Sequence, residues 1–332
     1  HLPASLIFFG LLYFIIPTFY NYDKSIVEKR ICKDLNIECL VKGKINYSFL
    51  PTPRINIKDL IVNDLLEKKG TLITIEQASI KLSIKNLLAK EKHKFKKIQL
   101  DNYEVNFDLK SFKKYANIFA KKINIIPITF VNGKIIFFDG KNYVTTINNA
   151  NVNLKFERDS TKAILKGKFL GDNLYINLIS NKTGEKISTD VLLKMSNLNL
   201  LTKANFFSSD KDKNTITGNF LVKKDKNKIT AIFDYKNNEF IIKKSNLRNT
   251  FIDGKLQGKI TILPYFNFDL DLNLNSLNFT RMYNNFLFLD EEKQKNLFQI
   301  NKKINGKLSL SSDKIYSSYN LAKSFESRLK FN

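Results

Sequence analysis

Few side chains in this sequence are spaced to do chemistry. Histidine occurs only at His1 and at His93, the latter inside the lysine-rich run Glu91–Lys97. A general base needs a neighbour that orients and tunes it, and a lysine-rich loop predicts a solvated imidazole instead. Asp269 and Asp271 stand two apart. On a strand that spacing puts both carboxylates on one face, which would suit a metal or an acid/base pair. A polar strand face also carries such residues simply to meet water, and that reading is taken. Cys32 and Cys39 are the only thiols, with six residues between them. In an oxidising compartment they would staple a small loop; otherwise they are two small hydrophobes. No histidine lies near enough to complete a zinc site. The 12 glycines do not cluster into a phosphate cradle, and no nucleophile elbow or Walker loop is present. The expectation is a chain that is not an enzyme and takes no cofactor and no metal.

What the sequence does carry is alternation. From Phe266 to Phe279 it reads FNFDLDLNLNSLNF. Phe266, Phe268, Leu270, Leu272 and Leu274 fall on one face of a strand, and Asn267, Asp269, Asp271 and Asn273 on the other. The same period gives apolar sets at Val152, Leu154 and Phe156, and at Leu174, Ile176 and Leu178. Phe220, Ile260 and Ile262 belong with them. Together these residues are the candidate lining of a lipid groove that takes acyl chains while head groups stay in water. The competing arrangement is a closed sandwich in which they meet one another.

Strands are expected at 39–49, 55–62, 72–84, 95–109, 123–138, 143–156, 163–169, 174–180, 186–194, 215–222, 229–235, 239–244, 251–263, 266–279, 304–310 and 325–331. Helices are expected at 23–36, where Ser25 and Glu28 suggest a capping box, and at 110–122 and 290–301. Links rich in Asn, Asp, Lys and Gly suit hairpins. Most strands lack a crossover helix between them, which predicts an antiparallel meander. A Gly-Lys-apolar tripeptide at Gly43, Gly133, Gly167, Gly254, Gly258 and Gly306 reads as a recurrent strand opening. The predicted fold is mainly β: an N-terminal transmembrane helix, then a long, curved antiparallel sheet forming an apolar groove, with a few short helices.

Leu2–Tyr22 carries no charge and has the length of a bilayer span. Its exit, Pro17-Thr18-Phe19-Tyr20, lacks the small residues of a cleavage site, so residues 1–22 read as an uncleaved anchor. Lys24, Lys29, Arg30 and Lys33 would hold the body inside by the positive-inside tendency, but long domains translocate regardless of charge, so the sequence alone leaves the side open. Residues 23–122 form a helix-and-strand module and 123–332 the β-groove. The start at His1 and the end at Asn332 inside a strand-like run predict further chain at both ends. The net charge is +24, and Lys supplies all but six of the 55 basic residues. Nucleic-acid recognition favours the planar fork of Arg, so no nucleic-acid partner is expected; anionic lipid head groups suit scattered lysines better, and a merely solvated surface suits them equally.

Val41–Val62 reads VKGKINYSFLPTPRINIKDLIV. A glycine opening a strand, then Ser-Phe-Leu-Pro-Thr-Pro, then a strand ending I-x-I-x-x-L-x-V, resembles the N-terminal signature of the AsmA family. The likeness continues through Ser79–Leu109, with a turn at Leu87-Leu88, and through Ile128–Phe156. The resemblance implies a single-pass inner-membrane anchor, a body in the periplasm and a long bent sheet with an apolar groove. It also implies carriage of phospholipid between inner and outer membranes, and it favours a Cys32–Cys39 disulfide. The alternative is a non-catalytic assembly factor for outer-membrane proteins or envelope structure, partnered by protein. An outer-membrane barrel also alternates, but the anchor and interspersed helices speak against it.

Overall fold

A computed structural model describes residues 2–32, 38–63, 70–90, 93–111, 126–209, 215–237, 239–261, 266–288, 305–318 and 323–331. Strand accounts for 68% of the structure, so it is mainly β, as the alternation requires. Backbone ladders join 19 strands into one mixed sheet. The chain divides into two compact units, His1–Tyr175 and Ile176–Asn332, a division placed differently from the 122/123 boundary read from the sequence.

In the first unit the opening segment is broken. Helix α1 (Leu2–Ile15) gives way to a 3-10 turn at Ile16–Phe19, and Tyr20 is extended. Pro17 has no amide hydrogen to continue the ladder. The expected unbroken span over 2–22 is therefore not formed, and no helix among the described residues is long and apolar enough to cross a membrane. The 14 residues of α1 reach about 21 Å, against roughly 30 Å of hydrocarbon. The Tyr13 hydroxyl donates to Ile84 O at 2.7 Å and accepts from Leu87 N at 3.1 Å. The Tyr20 hydroxyl donates to Leu88 O at 2.7 Å. The segment is thus tied onto the turn at residues 84–90.

Helix α2 (Lys24–Cys32) is capped by Asp23, not by the Ser25/Glu28 box. The Asp23 carboxylate accepts from the amide and the hydroxyl of Ser25, each at 2.8 Å. These bonds, the side-chain one first, hold its carboxyl below the usual range. Glu28 Oε1 instead accepts from Val41 N at 2.6 Å. Cys32 and Cys39 are joined as a disulfide, Cα atoms 6.2 Å apart, so α2 is fastened to β1 (Cys39–Val41) by a bond and a cross-link.

The strands that follow are β2 (Ile45–Ser48), β3 (Arg54–Asn63), β4 (Thr71–Leu82), β5 (Phe95–Asp108), β6 (Ile128–Asp139), β7 (Asn142–Phe156) and β8 (Ser160–Phe169). Strand β3 pairs with β1, β2 and β4, and antiparallel pairing continues to β5. Strands β5 and β6 are parallel, and β6 to β8 return to antiparallel. Ile57 and Ile80, on β3 and β4, are fully buried. His93 is buried too, within 2.9 Å of Leu87 O and tilted against the Tyr22 ring. It packs on the 84–90 turn, which corrects its reading as a solvated loop residue: Nε2 meets the Leu87 carbonyl, so that edge of the buried ring has a partner.

In the second unit, β9 (Asp172–Thr183) begins before the boundary. Then come β10 (Lys186–Met195), β11 (Leu200–Ser209), β12 (Thr215–Lys224), β13 (Asn227–Lys236), β14 (Glu239–Arg248), β15 (Ile252–Thr261) and β16 (Asn267–Asn278). From β10 to β16 this is an antiparallel meander. Helix α3 (Phe279–Leu287) follows, capped by the Asn278 side chain on Arg281 N. Strands β17 (Asn305–Ser312), β18 (Ile315–Tyr316) and β19 (Phe325–Phe331) close the sheet. Strands β17 and β18 run parallel to β16, and β19 is antiparallel to β17.

The sheet is therefore mixed, not wholly antiparallel. Both parallel steps fall where the chain between strands is long, at 109–127 and 279–304. Parallel neighbours require such crossovers. The helices read at 110–122 and 290–301 lie almost wholly outside the described residues. Strand β11 and helix α3 were not anticipated, and the strand read to Phe279 stops at Asn278.

Candidate functional site

Strand register lines up one apolar face across the second unit. Because side chains alternate, pairing partners share a face. One row runs from Thr189 on β10 through Phe206, Gly218 and Phe233 to Ile242 on β14. It continues through Gly258, Leu270 and Leu308 to Leu329 on β19. The next row contains Ile216, Tyr235, Phe240, Ile260, Phe268, Gly306 and Phe331. A third holds Ala204, Phe220 and Ala231. Rings meet along this face: Phe220–Phe233 at 5.9 Å, Phe233–Phe240 at 5.7 Å and Phe268–Phe331 at 5.6 Å between centroids. Burial pushes the Tyr235 phenol up.

The reverse face is mostly polar, although Phe207 and Ile232 lie on it and are exposed. Lys259, Asp269, Lys307 and Lys330 are consecutive partners across β15, β16, β17 and β19. Asn205 donates to Asp190 at 2.6 Å, and Lys243 pairs with Asp234. Asp269 and Asp271 are exposed here, alternating with the apolar set as expected. Among the described residues no cluster of His, Cys, Asp or Glu is placed to hold a metal.

Two irregularities keep the face in phase. A bulge in β14 at Lys243 lets both Ile242 and Ser245 pair onto the apolar side. Another at Asn275 does the same for Leu274 and Leu277, both buried. An extra residue resets the period of two.

The predicted lining residues divide between the units. Phe220, Ile260, Phe268, Leu270, Leu272 and Leu274 share the face just described; all but the buried Leu274 are half-buried. Phe266 precedes β16, is exposed, and sets its ring 5.8 Å from Phe268. Ile176 and Leu178 are half-buried on β9. Val152, Leu154 and Phe156 lie together on β7 in the first unit, half-buried. They are opposite Phe130, Ile128 and β8. Leu174 is buried. Ile262 lies outside the described residues.

Sequence reasoning missed Phe206 because Leu200–Ser209, LLTKANFFSS, does not alternate cleanly. It also misread four of the glycines, though Gly43 and Gly306 do stand at the openings of β2 and β17. Gly133, Gly167, Gly254 and Gly258 sit within strands rather than opening them. Their place is beside bulk. A Cβ on Gly133 would overlap the Tyr103 ring, and one on Gly306 the Phe268 ring. The signal was present in the sequence, since interior strand glycine marks close approach of a neighbour.

The first unit holds a polar cavity of about 800 Å³ on β3 to β7, lined by residues that include Lys42, Asp59, Glu76, Asn102, Asn132 and Lys134. Its mixed charges are neither greasy nor of one sign. Asp59, Asn102, Asn132 and Asn149 take φ of 52°, 52°, 53° and 48°, a region Asn and Asp tolerate best. The ladder lapses at that level, and Asn102 bridges Glu76 and Asn132 at 2.8 Å each. Behind it Tyr103 is buried and donates to Ala150 O at 3.1 Å. Burial raises its phenol pKa strongly.

No family model, curated protein or solved structure matches the chain.

Proposed function

We propose that this protein is a non-catalytic lipid carrier. Its one-sided sheet holds acyl chains while head groups stay in water, and it moves phospholipid between the inner and outer membranes of a cell envelope, as the likeness to the AsmA family implies. The observation that carries the reading is the incomplete burial of the second unit's apolar face. In the first unit one side of β3 and β4 is sealed, with Ile57 and Ile80 at 0% exposure. In the second, Phe233, Ile242 and Leu274 are buried on the apolar face, while Phe220, Ile260, Phe268, Leu270 and Leu272 keep part of their surface in solvent. Apolar surface left partly open in a contiguous patch suits a contact site.

Membrane apposition is part of the proposal. Phe19 is 82% exposed and Leu50 68%, with Ile84 and Leu88 also exposed. Tyr13 and Tyr20 hold the opening segment to the turn that carries Ile84 and Leu88. This end of the first unit suits the anchored side, with the body in the periplasm, where a disulfide persists.

The test is Leu270→Asp on the full chain, with co-purified lipid read by mass spectrometry. An open face lets the charge reach water, so the variant should fold and lose bound lipid. A folded variant that retains its lipid refutes the carrier reading. Unfolding indicates a closed core, because an unpaired charge there costs several kcal/mol.

A further inference from the structure

One cavity in the second unit differs from the face around it. It has a volume of about 430 Å³ and lies among the ends of β16 and β17, β18 and α3. Leu272, Leu274, Leu277, Met282, Leu310 and Ile315 form much of its wall, and among the described residues Ser317 and Ser324 supply its only polar side chains. Among the described residues no charged side chain lines it. We propose that this cavity is a discrete binding pocket for the end of one lipid hydrocarbon chain, walled by α3, with the head group outside.

The argument starts from chemistry. A polar ligand would lose its water here and find two hydroxyls in return, a poor exchange. A hydrocarbon chain loses nothing on entry, and the volume falls in the range of small-molecule sites. Continuity adds direction. Leu272 and Leu274 belong both to the cavity wall and to the apolar face, so a chain lying on that face can enter without crossing polar surface.

Helix α3 supplies the mouth. Phe279, Met282, Tyr283, Phe286 and Leu287 recur at the spacing of one helix stripe. Met282 and Phe286 are half-buried, while Phe279, Tyr283 and Leu287 are exposed. Phe279 lines the cavity and stacks nearly parallel on Tyr283, centroids 6.5 Å apart. The stripe thus leads from the cavity to the surface. Around it are groups able to meet a head group: Arg281, whose Nη1 reaches Thr250 O at 3.3 Å, and the Thr280–Ser318 hydroxyl pair at 3.1 Å.

The pocket rests on the carrier reading, and the experiment separates the two. The purified full chain, free of detergent, is titrated with cis-parinaric acid, a fatty acid that fluoresces in dry surroundings. It is also cross-linked to palmitate bearing a terminal diazirine, and the attachment sites are mapped by mass spectrometry. Cross-links should concentrate on peptides covering residues 272–282 and 310–325. Met282→Trp, which fills the cavity, should weaken parinaric acid binding at least tenfold with circular dichroism unchanged. Cross-links spread over β10 to β15, or undiminished binding by folded Met282→Trp, overturn the pocket while leaving the carrier standing. If wild-type protein binds neither probe, both fall. Should Met282→Trp not fold, the cross-link map on wild-type protein decides alone.

Discussion

Tyr103 shows how one side chain can carry a stretch of sheet. Its ring fills the space that Gly133 leaves, stands 5.0 Å from Phe130, and its hydroxyl ties β5 to Ala150 on β7. Because burial opposes the phenolate, the folded pKa lies above the unfolded value of about 10. The stabilisation is complete below that unfolded value and is lost as pH rises toward the folded one. Tyr103→Phe should therefore be less stable near neutrality by about 1 kcal/mol, the worth of one hydrogen bond. Above about pH 10 that deficit should shrink, since the variant has no phenol to ionise. Urea midpoints of both proteins, near neutral and in alkali, test this, and a deficit that grows with pH contradicts it.

At the scale of elements, the left-handed residues on β5 and β6 matter for backbone more than for side chain. Asn132→Gly should be close to neutral, because glycine accepts that φ freely. Asn132→Val should cost about 1–2 kcal/mol, the penalty of a Cβ in the left-handed region. Equal losses by denaturant unfolding would mean that the bond to Asn102 dominates instead. Elements were legible where the pattern was local. Arg54–Asn63 and Asn267–Asn278 alternate, and their strands follow within a residue or two. Helix α3 escaped notice because FTRMYNNFL follows the alternating run directly, and its apolar stripe is spaced for a helix. Parallel pairing was illegible for a different reason. It depends on which distant strands meet, and alternation within one strand is the same in either direction.

For the whole molecule, the lysines and the apolar face belong to one account. Six of the predicted lining residues, Phe220, Ile260, Phe268, Leu270, Leu272 and Leu274, share one face by the period of two. Phe206, Phe233 and Phe331 join that face only through register across neighbouring strands. The net charge of +24 predicts attraction to anionic bilayers. The full chain should sediment with vesicles containing phosphatidylglycerol at low salt and release as salt approaches about 1 M, where the screening length falls to roughly 3 Å. Equal binding to neutral vesicles, unaffected by salt, would show that charge plays no part.

The parallel step from β16 to β17 has a consequence in time. Strands β10 to β16 each meet the strand before them, so their contacts close short loops and form early. Strand β17 finds β16 only after residues 279–304 have been spanned, a larger loop with a larger entropic barrier. The walls contributed by β17 and β18 should thus be assembled after the meander that they join. Pulse-labelled hydrogen exchange during refolding should protect Phe220 and Phe233 amides before those of Leu308 and Leu310. A newly made chain would then present its apolar face for a moment with one side still unbuilt.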